Sequence, residues 1–172
     1  MGIIYSFALY QIKQGMKSKL ILSIFLWVAL AINVNAQKVM TFRDAELQGK
    51  SYQHLDSLYK SAVHSDVKLA VFKTKVEQEN LQKAYVLFIQ NLAGYLKQNN
   101  FKWEKQVRCF NRIYFDKRGK VDYFLYNFPK DEIAADKEKE FVRLLGLFIK
   151  DHQFSLTAKE PFAQCSPIKY AD

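Results

Sequence analysis

The side chains best suited to catalysis or metal binding are three histidines, His54, His64 and His152, and two cysteines, Cys109 and Cys165. His54 and His64 have no carboxylate at a metal-motif spacing, so no metal site is expected. His152 follows a helical stretch, where an imidazole suits the negative end of the helix dipole. Cys165 with His152 would make a thiol–imidazole nucleophile, but neither residue sits in a nucleophile elbow or a cysteine-hydrolase signature. Asp131, Glu132, Asp136, Glu138 and Glu140 gather at a helix start, where negative charge stabilises the helix and need not do acid–base work. No glycine-rich phosphate loop is present. These patterns predict no catalytic residue, no metal and no cofactor, and a protein that is not an enzyme.

The beginning of the chain is more telling. Lys17-Ser-Lys19 precedes Leu20 to Ile32, a run apolar except for Ser23, and Val34-Asn-Ala36-Gln37 follows. A basic region, an apolar core and small residues at the two positions read by a signal peptidase have the layout of a secretory signal. The apolar run spans roughly 20 Å as a helix, short of the ~30 Å hydrocarbon core, so cleavage between Ala36 and Gln37 is expected in preference to a stable membrane span. Met16, just before the basic pair, is the expected start. Export places the protein in the periplasm or outside the cell. The formal net charge is +9, and the three lysines lost with the signal leave the remainder basic. Lys102, Lys105 and Arg108 with Phe101 and Trp103 have the composition of a nucleic-acid patch, but an exported chain has no nucleic acid to meet.

After a leader expected to be irregular over 37–50, residues 51–172 read as a single α+β domain. Leu55, Leu58, Tyr59 and Ala62 predict a short helix over 51–63. Thr74-x-x-Glu77 is a capping box, and Leu81, Ala84, Tyr85, Phe88, Leu92, Tyr95 and Leu96 form one apolar stripe, predicting a helix that ends at Asn99-Asn100. Val107 to Phe115 and Val121 to Phe128 read as strands joined by Asp116-Lys-Arg-Gly119, with Gly119 at positive φ. Asp131 is the expected cap of a helix to Lys150, and Phe162 to Tyr170 is a third strand. The expected architecture is a two-layer sandwich. It has a three-stranded antiparallel sheet in order 2-1-3 and helices on one face, after a helical segment over 51–100. The third strand would then be an edge. It would also run beside the strand carrying Cys109, leaving both a Cys109–Cys165 disulfide and two free thiols open.

Arg112-Ile-Tyr-Phe-Asp-Lys-Arg-Gly119-Lys-Val-Asp122 and Pro161-Phe-Ala-Gln-Cys-Ser-Pro-Ile-Lys169, with a helix between them, resemble the C-terminal domain of TonB energy transducers over 107–170. In that family the domain captures a receptor segment as an added strand. The resemblance therefore implies a Gram-negative envelope protein or peptide as partner, held at the edge by Phe162, Ala163, Gln164, Ser166 and Ile168. The three prolines, Pro129, Pro161 and Pro167, form no Pro-rich linker, so the chain is expected to reuse the module without being a transducer. The alternative is a small ligand or envelope polymer on the uncovered sheet face through Trp103, Tyr114, Tyr123 and Tyr126, or a homodimer formed there. The plainer reading of Phe101 and Trp103 is that they cover the end of the core.

Overall fold

The computed structural model describes residues 38–172. The signal segment, its site at Ala36–Gln37 and the expected start at Met16 lie outside the described residues. In chain order the elements are β1 (Val39–Thr41), α1 (Phe42–Leu47), α2 (Tyr52–Leu58), β2 (Lys60–Ser61), a 3-10 turn (Val67–Leu69), α3 (Lys75–Gln98), β3 (Val107–Phe115), β4 (Val121–Asn127), α4 (Ala135–Asp151) and β5 (Phe162–Tyr170). The class is α+β.

The sheet corrects the three-stranded expectation. It is five-stranded and mixed, in order β1-β4-β3-β5-β2. The long strands β4, β3 and β5 run antiparallel, and the short β1 and β2 add to either side in parallel. The stretch expected to be an irregular leader supplies β1 and α1. The expected helix over 51–63 ends at Leu58, after which Tyr59 is extended and Lys60–Ser61 join the sheet.

Helix α3 forms for the reason its sequence suggests. Thr74 Oγ1 accepts the Glu77 N–H at 3.2 Å, and Glu77 Oε2 accepts the Thr74 N–H at 2.8 Å. These two bonds satisfy donors that a helix start leaves free. Its stripe is buried apart from Tyr95, which is half-buried, and Tyr85 and Phe88 face the sheet side with it. Helix α4 departs from expectation: its N-cap is Ala134, with no side-chain cap bond, while Asp131 sits in the preceding turn at φ 60°.

Alternation along β3 divides the interior in two. Val107, Cys109, Asn111, Ile113 and Phe115 turn to α3 and α4, where Phe88, Phe115, Phe148, Phe154 and Phe162 pack with centroid distances from 4.6 to 6.0 Å. Burying each such ring contributes on the order of 2 kcal/mol. Tyr114 turns the other way and joins Met40, Ala45, Leu55, Leu125 and Ala163 in a second cluster under α1 and α2. Helices therefore cover both faces, not one.

Gly119 closes the β3–β4 turn at φ +84° and accepts the Phe154 N–H at 2.9 Å. A Cβ there would collide with the carbonyl oxygens of Phe154 and Leu156, so only glycine fits both the turn and the approach of the α4–β5 loop.

Candidate functional site

Hydrogen bonding at the start of β5 determines which side of the strand each residue serves. Lys60 N–H donates to Pro161 O at 3.1 Å and Ala62 N–H to Ala163 O at 2.8 Å. Within a strand the N–H and C=O of one residue share a side, and successive residues alternate. Odd-numbered residues of β5 therefore aim their main-chain groups outward, and even-numbered ones aim them at β3. Beyond Ala163, no strand of the described residues lies on the outward side. Cys165, Pro167 and Lys169 form a free edge, and Pro167 contributes a carbonyl but no N–H. The carbonyl of Cys165 accepts the Gln164 side-chain amide at 3.2 Å, a partner that can swing away.

This geometry corrects the expected edge residues. Phe162 is fully buried, and Ala163 pairs with Ser61. Gln164, Ser166 and Ile168 lie on the free stretch but bond inward, with half-buried side chains on the α3 side. Ser166 Oγ meets Tyr85 OH at 2.8 Å, which fixes α3 over the strand. Helix α4 packs on the Phe88 and Tyr95 side of α3. The flank carrying half-buried Ile89, exposed Val86 and Ala93 therefore turns toward the β5 edge. Between the end of α3 and the residues that follow β5 lies a cavity of about 570 Å³ lined by Ala93, Gly94, Leu96, Lys97, Lys102 and Trp103, with Asp172 at its wall. Both carboxylate oxygens of Asp172 hold the loop there, accepting Trp103 N–H at 2.7 Å and Glu104 N–H at 3.0 Å, and these bonds keep its carboxyl below the usual range.

The expected ligand face does not assemble. Tyr114 is buried under α2, its hydroxyl donating to Asp56 at 3.0 Å. Tyr126 lies on the opposite face and donates to Glu138 at 2.9 Å. Trp103 stacks on Tyr170 at 4.7 Å within the core. Only Tyr123 keeps partial exposure, beneath Lys50 at 5.3 Å. What α1 and α2 leave uncovered is the other half of that face, where Phe110 is 38% exposed beside Phe42 and flanked by Arg108, Pro167 and Lys169. Sequence reasoning passed over Phe110, although an aromatic at a polar position of the alternation was the available signal.

The chemical candidates also separate. Cys109 pairs in register with Ile168 and Cys165 with Arg112, so the two thiols lie on opposite faces; both are free, which removes the disulfide. Burial pushes the Cys109 thiol up to about 12. His152 caps α4, with Nδ1 3.0 Å from Phe148 O, on the helix face away from Cys165. His64 Nδ1 accepts the Asp66 N–H. Among the described residues no three His, Cys, Asp or Glu side chains are placed to hold a metal, and no helix is long and apolar enough to cross a membrane. A second cavity, of about 640 Å³, lies beside Lys60, Thr74, Glu77 and Glu160. Its carboxylates are already engaged, Glu77 in the α3 cap and Glu160 with Lys60 at 2.9 Å.

No protein-family model matches the chain, and no curated protein or solved structure matches it either. The TonB resemblance therefore rests on its motif residues alone.

Proposed function

We propose that this is an exported, non-enzymatic module that captures an extended segment of an envelope protein as an added strand along Cys165–Lys169. The free outward edge of β5 carries this reading. Main-chain bonds to such an edge supply affinity, and pockets for alternate side chains supply selectivity. The resemblance to TonB domains supports the same mode of capture, and residues 17–37 support export.

The test is photocrosslinking in the cell envelope with a photoreactive residue at Lys169, repeated in a Cys165→Pro background. A discrete adduct that disappears with Cys165→Pro supports strand capture. An adduct indifferent to that proline overturns it. An adduct between two copies of the chain would make the edge a homodimer contact. Exposed Phe110 between Arg108 and Lys169 supports a second reading, an anionic envelope polymer lying on the uncovered half-face. Loss of binding on Phe110→Ser alone would favour it.

A further inference from the structure

The cavity between the end of α3 and the residues that follow β5 is partly apolar and partly cationic. Leu96, Phe101 and Trp103 are buried residues that form its floor. Gly94 opens onto it: a Cβ at that position meets nothing within 4 Å. Lys97 and Lys102 stand at its rim, and among the described residues neither is in an ion pair. The Asp172 side chain in the wall accepts the N–H groups of Trp103 and Glu104 and is held ionised by them and by the charge of Lys102, so the two lysines outnumber it by one. An apolar floor under a rim with one positive charge in excess fits a ligand that is apolar at one end and anionic at the other. The cavity lies at the Tyr170 end of the free edge, where Ala171 and Asp172 line it.

We propose that the cavity is an anchor pocket for a chain-terminal apolar residue of the captured segment. The side chain lies over Leu96, Phe101 and Trp103, and the free terminal carboxylate lies between Lys97 and Lys102. The cavity volume of about 570 Å³ exceeds what one aromatic side chain fills, leaving room for the terminal carboxylate as well. This deepens the strand-capture reading and rests on it for how the residue arrives. A fragment that cannot form a strand tests the pocket by itself.

The probes are N-acetyl-L-phenylalanine and its C-terminal amide, titrated into 15N-labelled protein with the amides of Gly94, Leu96 and Ala171 and the Trp103 indole followed by NMR. The acid should give saturable shifts with a Kd on the order of 1 mM, and the amide should bind about fivefold more weakly, as expected for loss of a partly exposed ion pair. Gly94→Leu should abolish the shifts while raising the thermal midpoint, since it fills the space and replaces a mid-helix glycine. Lys102→Glu should weaken the acid and leave the amide unchanged. No saturable shift, or equal binding of acid and amide, overturns the proposal. Cys165→Pro should leave fragment binding intact. Fragment binding with an envelope adduct that ignores Cys165→Pro therefore fails strand capture alone, while a proline-sensitive adduct without fragment binding fails the pocket alone.

Discussion

Pro167 stands directly opposite Phe110 across the β3–β5 ladder, with its ring nitrogen on the side of β5 that no described strand occupies. The missing N–H costs the sheet nothing there, since the ladder to β3 uses the even-numbered residues. It costs an incoming strand one donor, which is how edge prolines discourage indiscriminate pairing. Two copies meeting edge to edge would both lack that donor. Pro167→Thr should therefore leave the fold intact and increase self-association, read as a concentration-dependent rise in sedimentation coefficient. An unchanged coefficient would show that the proline does not guard this edge.

Two neighbouring prolines should behave oppositely. Gln164 bonds inward to Ile113's strand, so Gln164→Pro removes a ladder bond and should destabilise by roughly 1–3 kcal/mol. Cys165 directs its N–H outward, so Cys165→Pro should shift the thermal midpoint little. Equal losses in thermal denaturation would refute the assigned direction of the edge.

Asn111 is fully buried and polar, and its Nδ2 donates to Tyr170 OH at 2.8 Å while its Oδ1 accepts from the Cys109 thiol at 3.1 Å. Asn111→Ala strands both partners and should cost about 2 kcal/mol or more in denaturant unfolding. Adding Tyr170→Phe removes one stranded hydroxyl and should recover part of that loss. Strict additivity of the two substitutions would mean the bond carries no coupling.

The two thiols should react at different rates. Cys165 is exposed, whereas Cys109 is buried with its ionisation pushed up to about 12. In native protein a thiol reagent should label Cys165 rapidly and Cys109 only on unfolding. Because the Cys109 value is raised, its stabilising contribution is complete below the ordinary thiol range and is lost as pH rises toward about 12. Rapid labelling of both thiols at neutral pH would contradict this burial.

Asp172 titrates in the other direction. Its carboxyl is held low by the backbone N–H groups of Trp103 and Glu104, so its contribution is present above the ordinary carboxylate range and fades as pH falls through its depressed value. Asp172→Asn should loosen the 103–104 loop at neutral pH, seen as faster amide exchange at Trp103 and Glu104. At acid pH the variant and the parent should converge. A difference that persists undiminished in acid would assign the effect to shape, not charge.

What could be read from the sequence was whatever has a local cause. The capping box of α3, the three long strands and the positive φ of Gly119 each follow from a few adjacent residues. Strands β1 and β2 are too short to show any period, and they are strands only because β4 and β5 present edges to them. Tyr59 has the spacing of a helical residue, yet the chain straightens there as its hydroxyl reaches Asp122 at 2.9 Å and Lys60 joins β5. The site shows the same division. The residues expected at the edge, Phe162, Ala163, Gln164, Ser166 and Ile168, all lie in β5. Which side of the strand carries the free main-chain groups depends on the neighbours, and those groups belong to Cys165, Pro167 and Lys169. The face under α1 and α2 was misread because a helix of six residues carries almost no amphipathic signal of its own.

One stretch of chain contributes both β1 and β2, with α1 and α2 between them spanning the sheet that separates the two strands. A single latch thus closes opposite flanks of the sheet, and neither end can let go for long without loosening the other. The two flanks form one cooperative unit, so the amides of Met40 and Ala62, far apart across the sheet, should open to solvent exchange with the same free energy.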